Sequence, residues 1–501
     1  MFHIYKGYEL VDAYHKMRMG RRFHPSGAFK KTTQAIIVLI VTLFLWNMPS
    51  EWFGIEGLTV VQQRIIAIFA FATLMWILEV VSSWATSVAI IGLMLLFASD
   101  SGVKWMCNPD EVGALLSYKS VMATFADPVI MLFIGGFILA IAATKTGLDA
   151  QLAKVLLKPF GNKSDNVLLG FILITGLFSM FVSNTATAAM MLTFLAPVFH
   201  QLPPEGKGRV ALAMSIPVAA NLGGMGTPIG TPPNSIALKY LNDPEGLNMG
   251  LGFGQWMMFM FPLVMLLLFI SWRLLLKFFP FSQKTVELKI DGGMQKGFQS
   301  TVVIITFIVT VILWLSDRVT GINANTVAMI PFCVFALTGV INKRDLEQIN
   351  WSVIWMVAGG FALGYGLNSS GLAANAVESI PFGEFSPILI LLIGGAICYL
   401  LSNFISNSAT AALLMPILAM VCGAMGDKLA PIGGTPTVLI GVAIAASSAM
   451  ILPISTPPNA LAFATGYVKQ KEMSKIGIIM GIISMALGFG LVYLMGTFHL
   501  I

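Results

Sequence analysis

Apolar runs broken by short polar stretches recur along the whole chain. Ile65 to Val81, Trp256 to Leu276 and Val302 to Leu315 are long enough, or nearly so, to cross a bilayer as helices. The pattern predicts spans over 34–49, 65–81, 84–99, 127–144 and 256–279. Further spans are predicted over 299–315, 325–341, 352–369 and 474–498. Two remaining regions, 166–240 and 386–468, are apolar but interrupted.

Each interrupted region divides in two. Val167 to Val182 and Ala186 to Phe199 form two short apolar arms meeting at Ser183-Asn184-Thr185, which predicts a re-entrant helical hairpin over 166–199. The stretch 207–240 reads as a helix broken at Gly223-Gly224, Gly226 and Thr231-Pro232-Pro233-Asn234. Proline lacks a backbone donor and disfavours helix in the residue before it, so the helix must open there. Asn, Ser and Thr suit the N-caps where helices resume. The second region repeats this with a hairpin over 386–422 and a broken helix over 434–468.

The motifs themselves return. Ser183-Asn184-Thr185-Ala186-Thr187-Ala188-Ala189 matches Ser406-Asn407-Ser408-Ala409-Thr410-Ala411-Ala412. Pro228-Ile229-Gly230-Thr231-Pro232-Pro233-Asn234 matches Pro453-Ile454-Ser455-Thr456-Pro457-Pro458-Asn459. Gly135-Gly136-Phe137 and Gly147-Leu148 match Gly359-Gly360-Phe361 and Gly371-Leu372. All pairs lie roughly 224 residues apart in the same order, the mark of a duplicated transporter scaffold. Five full spans separate equivalent points, and an odd number inverts the second copy against the first. The expected fold is an all-α polytopic membrane protein of about 11 transmembrane helices in two inverted repeats, 60–298 and 299–501. An extra first span and loop, 34–59, and a basic amphipathic arm, 1–33, precede them.

Composition agrees: 57% of residues are hydrophobic and only 10% charged, far from an ordinary soluble globule. With the N-terminus in the cytoplasm, roughly 23 of the 29 Lys and Arg fall on the cytoplasmic side. The opposite loops keep mainly Glu51, Glu56, Asp110, Glu111, Asp243, Glu245, Glu378 and Glu384. This predicts a multi-pass cell (inner) membrane protein. Basic residues form no patch interleaved with aromatics, which argues against nucleic acid. Cys107, Cys333, Cys398 and Cys422 lack paired spacing and read as small apolar residues. Glu79 and Arg273 are the charges nearest to lying within spans and read as orientation or packing residues. No phosphate loop, paired carboxylates or nucleophile elbow is visible, so the chain reads as no enzyme.

The motifs hold hydroxyls, amides and backbone groups freed where helices break, with no Lys, Arg or His. Open helix N-termini suit an anion, and freed carbonyls with Ser, Thr and Asn oxygens suit sodium. A bare dianion there faces several kcal/mol of desolvation per charge, against about 0.3–2 kcal/mol from each helix dipole. Bound cations would supply the missing charge. Ser179 and Ser402, one turn before each triplet, are placed to complete a cation shell.

At these motifs the chain resembles the divalent anion:sodium symporter family. The resemblance covers nearly everything after the N-terminal arm. It implies a homodimer in which a mobile domain moves as an elevator against a scaffold. Substrate carboxylates would be bound by Ser183, Asn184, Thr185, Ser406, Asn407 and Ser408, helped by Thr231-Pro232 and Thr456-Pro457. One Na+ would lie among Ser179, Ser183, Asn184 and the Gly230 carbonyl, a second among Ser402, Ser406, Asn407 and the Ser455 carbonyl. Ser408 stands where the family usually has Thr, which bears on substrate size. The expected activity is sodium-coupled symport of C4-dicarboxylates such as succinate, malate and fumarate. The alternatives are a sodium-independent dicarboxylate exchanger, a citrate or sulfate symporter of the same fold, and a carboxylate sensor that moves nothing.

Overall fold

The breaks anticipated in the apolar runs organise the computed structural model, which describes residues 25–108, 112–203, 206–243, 247–287, 295–373, 375 and 386–498. Most of the basic arm, residues 1–24, lies outside these, as do Lys289, Asp110, Glu111, Glu245, Glu378 and Glu384. All regular elements among the described residues are helical.

The first part of the chain comprises α1 (Pro25–Asn47), α2 (Val60–Ile77), α3 (Ser83–Phe97) and α4 (Pro128–Thr146). A short amphipathic α5 (Leu148–Leu157) follows. Then come α6 (Ser164–Phe181), α7 (Asn184–Gln201), α8 (Gly208–Gly224), α9 (Pro232–Leu241) and α10 (Phe253–Phe278). The second part runs α11 (Phe298–Leu315), α12 (Met329–Leu337) and α13 (Trp351–Ser369). It ends with α14 (Pro387–Ser402), α15 (Asn407–Met425), α16 (Gly434–Ser447), α17 (Pro457–Ala464) and α18 (Gln470–Thr497).

Helices α6–α10 and α14–α18 interlock. The arm α7 packs on α17 of the other half, and α15 packs on α9. Helices α8 and α17 also meet, as do α10 and α18. Around them α3 lies along α13, and α4 packs on α11 and α12. The two groups touch where α13 meets α15 and where α9 meets α4 and α13.

Among the described residues, seven helices are long and apolar enough to cross a membrane, by length and composition: Val60–Ile77, Tyr118–Thr146, Ser164–Phe181, Phe253–Phe278, Phe298–Leu315, Asn407–Ile432 and Gln470–Thr497. Large apolar side chains face outward on several elements, among them Ile305, Ile308 and Ile312 on α11 and Leu389, Ile393 and Ile397 on α14. Buried polar groups instead gather inside, at Ser179, Asn221, Asn234, Ser402 and Asn459. A multi-pass membrane protein has this distribution, because lipid solvates apolar surface and polar groups must find partners within the protein.

Several span predictions shift. The first helix begins at Pro25 rather than 34, so residues 25–33 of the expected basic arm belong to it. The second span begins at Val60 rather than 65, which brings Arg64 inside the helix and leaves Glu79 beyond its end. The stretch predicted over 325–341 divides into Ala324–Val327 and α12. Cys107, Cys398 and Cys422 are buried while Cys333 is exposed.

Candidate functional site

Each hairpin ends its turn in a serine that caps the second arm, although the first arm stays helical to Phe181 in one hairpin and only to Ser402 in the other. Val182 and Ser183 are extended (φ −118°, ψ 150° and φ −57°, ψ 141°), and Ser183 then caps α7 by accepting from the Ala186 N–H at 3.3 Å. Ser406 (φ −66°, ψ 145°) caps α15 through the Ala409 N–H at 3.2 Å. A serine cap satisfies one orphan donor and leaves other N–H groups of the first turn open, a favourable place for an anion.

One turn back on each arm, a buried serine reaches the tip amide. Ser179 Oγ lies 2.6 Å from Asn184 Oδ1 and 2.8 Å from the Ala220 carbonyl. Ser402 Oγ lies 2.8 Å from Asn407 Oδ1 and 2.9 Å from the Ala446 carbonyl. A hydroxyl has one proton, so it cannot donate fully to both acceptors. In the first half a fourth oxygen joins: the same end of the Asn184 amide faces the Gly230 carbonyl at 3.1 Å and the Ala220 carbonyl at 3.3 Å. Two arrangements satisfy this cluster. The amide turns its NH2 inward, donating to Gly230 and Ala220, or a cation sits among the oxygens. The donors are neutral hydroxyl, amide and carbonyl groups, which suit a hard cation of low charge. Asn184 has both arrangements available. Gly224 makes room for it, since a Cβ there would lie 2.7 Å from Asn184 Oδ1.

The broken helices are held open by their own motifs. Thr231 (φ −147°, ψ 139°) and Thr456 (φ −140°, ψ 152°) are extended, and Pro232 and Pro457 start the next helix, where a missing N–H costs nothing. Asn234 and Asn459 do not act as N-caps. Each turns its NH2 back onto carbonyls freed at the break: Gly224, Met225 and Thr227 at 2.8–3.2 Å, and Met450 and Leu452 at 2.8 and 3.0 Å. Thr456 caps α17, accepting from the Asn459 N–H at 3.3 Å, whereas Thr231 makes no such cap.

A hydroxyl then fastens each break to its hairpin. Thr227 donates to the Met180 carbonyl and accepts from the Gly230 N–H at 3.0 Å. Ser455 donates to the Asn403 carbonyl at 2.9 Å and accepts from the Leu452 N–H at 3.0 Å. Met180 and Asn403 hold equivalent places one residue past Ser179 and Ser402, yet the clamping residues stand at opposite ends of a three-residue interval.

Of the residues singled out from sequence, the structure joins Ser179, Asn184 and Gly230 in one cluster and Ser402 with Asn407 in another. Ser183, Ser406 and Thr456 cap helices, and Ser406 also lies 3.6 Å from Met356 Sδ. Pro232 and Pro457 open helices, Thr231 and Ser408 are buried, and Thr185 is half-buried. The Ser455 hydroxyl is turned to Asn403 rather than to Asn407. The Ala220 and Ala446 carbonyls leave no trace in residue type. Asn221 does, as a lone amide in an apolar stretch, but its place only becomes clear in three dimensions.

Charges lie apart from these clusters. Arg64, 7% exposed, donates to the Phe97 and Met106 carbonyls at 2.9 and 2.6 Å, binding α2 to the loop after α3. Arg273 stacks on Trp272 with its guanidinium carbon 5.2 Å from the ring centre. Lys239 pairs with Asp127, the N-cap of α4, and Lys145 at the other end of α4 pairs with Asp345 at 2.6 Å.

Known proteins resemble this chain. The sodium-dependent dicarboxylate transporter SdcS of Staphylococcus saprophyticus is 30% identical over 494 residues, 91% of each chain. The protein of the same name from Staphylococcus aureus strain USA300 is 29% identical, covering 90% of this chain and 87% of its own. The Alcanivorax borkumensis YdaH transporter superposes with a TM-score of 0.52 at 15% identity, over 75% of this chain and 87% of that one, a likeness of fold alone. The citrate transporter (CitMHS) family matches residues 73–433, a stretch holding both hairpin tips and the first break. On that match the chain belongs to the citrate transporter family.

Proposed function

We propose that this protein is a secondary active transporter coupling sodium to the uptake of C4-dicarboxylates such as succinate, malate and fumarate. The oxygen cluster of Ser179, Asn184, Ala220 and Gly230 carries the reading: a site rich in acceptors, beside open helix N-termini and with no cationic side chain, suits a cation and an anion together. Two relatives are sodium-dependent dicarboxylate transporters by name, which supports the same pairing.

In this reading Ser183, Asn184, Thr185, Ser406, Asn407 and Ser408, with Thr231-Pro232 and Thr456-Pro457, receive the carboxylates. One sodium is held by Ser179, Ser183, Asn184 and Gly230, with the Ala220 carbonyl added. The other is held by Ser402, Ser406, Asn407 and Ser455. An asparagine amide has both acceptor and donor, so each tip can touch cation and anion at once. Sodium adds the positive field without which the dianion stays in water.

The chain forms eleven spans in two inverted repeats, with a cytoplasmic N-terminus in the cell inner membrane. The α6–α7 hairpin enters from the cytoplasm and the α14–α15 hairpin from outside. The interlocked group moves as an elevator against the scaffold of a homodimer.

Purified protein in liposomes tests the function. Net succinate uptake driven by an inward sodium gradient is expected, and by linkage sodium must raise succinate affinity by the factor that succinate raises sodium affinity. Uptake indifferent to sodium but dependent on internal dicarboxylate would make the protein an exchanger instead. Citrate, glutamate and sulfate, run beside succinate, identify the anion.

A further inference from the structure

One amide crosses between the halves. Asn221, 1% exposed near the end of α8, directs Nδ2 to Thr456 Oγ1 at 3.1 Å and to Asn459 Oδ1 at 3.2 Å. Its orientation is fixed by its neighbour. The Asn459 NH2 is held by the Met450 and Leu452 carbonyls, so the oxygen of Asn459 must face Asn221, and Asn221 must present its NH2.

The consequence falls on Thr456. Its Oγ1 accepts from the Asn221 NH2 at 3.1 Å and from the Asn459 N–H at 3.3 Å. A hydroxyl has two lone pairs and one proton. With both lone pairs engaged, the proton of Thr456 has to point away as a donor. Thr456 is 4% exposed and stands in the break at the N-terminus of α17, where Pro457 and Pro458 have no N–H and the Asn459 N–H is taken by Thr456 itself.

The link is made in one direction only. In the other half, the Asn234 NH2 is held in the same way by carbonyls, but its Oδ1 is buried with no hydrogen-bond partner. By the equivalence of the Ala220 and Ala446 carbonyls, Asn221 matches Ser447, whose hydroxyl is too short to replace the amide and is buried with no hydrogen-bond partner. Thr231 therefore has no counterpart to the Asn221 bond.

We propose that Asn221 is a positioning residue that fixes Thr456 as an obligate hydrogen-bond donor toward a carboxylate oxygen of the transported anion. This rests on the dicarboxylate reading above, and it makes the two halves unequal: the Thr456 side recognises an acceptor, whereas Thr231 remains free to donate or accept. Substrates are then distinguished chiefly at the end that Thr456 meets, where an ionised carboxylate is favoured and a hydroxyl or amide donor is disfavoured.

A double-mutant cycle tests this. Succinate affinity is measured by calorimetry at saturating sodium for wild type, Asn221→Ala, Thr456→Val and the double variant. Each single change is expected to weaken binding about tenfold, as for a charge-assisted hydrogen bond, and the double variant no more than the weaker single. Stabilisation of the succinate-free variants by sodium shows that they are folded. Asn221→Ser, run through the same cycle, covers a failure of the alanine variant to fold. Losses that multiply to about a hundredfold in the double variant, or wild-type affinity in Asn221→Ala, overturn the proposal. Wild-type protein that binds neither succinate nor citrate overturns the dicarboxylate reading as well, which separates the two failures.

Discussion

Asn184 holds its amide 2.6 Å from Ser179 Oγ and 3.1 Å from the Gly230 carbonyl, so one short side chain joins the hairpin tip to the break between α8 and α9. Every other member of that cluster is an oxygen. Replacing Asn184 with Ala removes the group able to serve both cation and anion, at about 1.5–3 kcal/mol for a charge-assisted bond. Transport is expected to fall at least about tenfold in a protein that still inserts and folds. Near-normal uptake in Asn184→Ala would return the motif to a packing role.

Gly224 offers a sharper probe because it adds one carbon without removing a ligand. A Cβ there would meet Asn184 Oδ1 at 2.7 Å and the Gly230 carbonyl at 3.1 Å. In Gly224→Ala the tip amide has to move, and sodium affinity should drop severalfold more than stability does. Gly423→Ala, in the helix α15 and with nothing within 4 Å of its added carbon, serves as the silent control. Equal sodium affinity in both variants would disconnect this glycine from the cluster.

Cysteines at Ala186 and Ala409, in a background without the four native ones, report on the two tips. Ala186 is exposed and Ala409 buried in the present conformation. A membrane-impermeant thiol reagent is expected to label Ala186→Cys from the cytoplasm. Ala409→Cys should react from outside, and only when the interlocked group has moved. Sodium with succinate should protect both. Labelling of both from a single side is incompatible with inverted hairpins.

Asp149, on α5 outside the predicted spans, gives a pH test. Burial pushes its carboxyl above the usual aspartate range, and hydrogen bonds from Thr144 Oγ1 and the Ala150 N–H only partly oppose this. The folded state therefore holds this proton more tightly than the unfolded chain. Its contribution to stability is full below the unfolded pKa and is lost as pH rises through the folded value. Asp149→Asn should raise the melting temperature at neutral pH and leave it nearly unchanged in acid. A gain that is equal at both pH values would place its origin elsewhere.

Much of this site was readable because its residue types are out of place. Ser-Asn-Thr and Thr-Pro-Pro-Asn interrupt apolar runs, and their repetition removed the ambiguity that a single copy would have had. The cation cluster was only half readable, since the Ala220 carbonyl belongs to a residue whose side chain is silent. The sequence pattern puts the start of α2 late because Gln62, Gln63 and Arg64 look like loop. Inside the fold they are buried and partnered: Gln62 reaches the Ser370 carbonyl at 2.8 Å and Gln63 the Met48 carbonyl at 2.6 Å. The Thr59–Gln62 capping box was the signal that marks that helix start. The turn of Asn234 and Asn459 back onto the preceding break was invisible for a different reason. An amide at the third helical position looks the same in sequence whether it faces forward or back.

The clamps at Thr227 and Ser455 change how the two halves are to be compared. Aligned by register, Thr227 falls on Leu452 and Gly230 on Ser455, so letter-by-letter scoring records two mismatches where the molecule makes the same bond twice. The two solutions are not interchangeable by swapping letters, since a Cβ at Gly230 would collide with the Gly224 carbonyl oxygen. Each half therefore keeps the bond within its own backbone setting, and the kinship of the two clamps is visible in the bond and not in the letters.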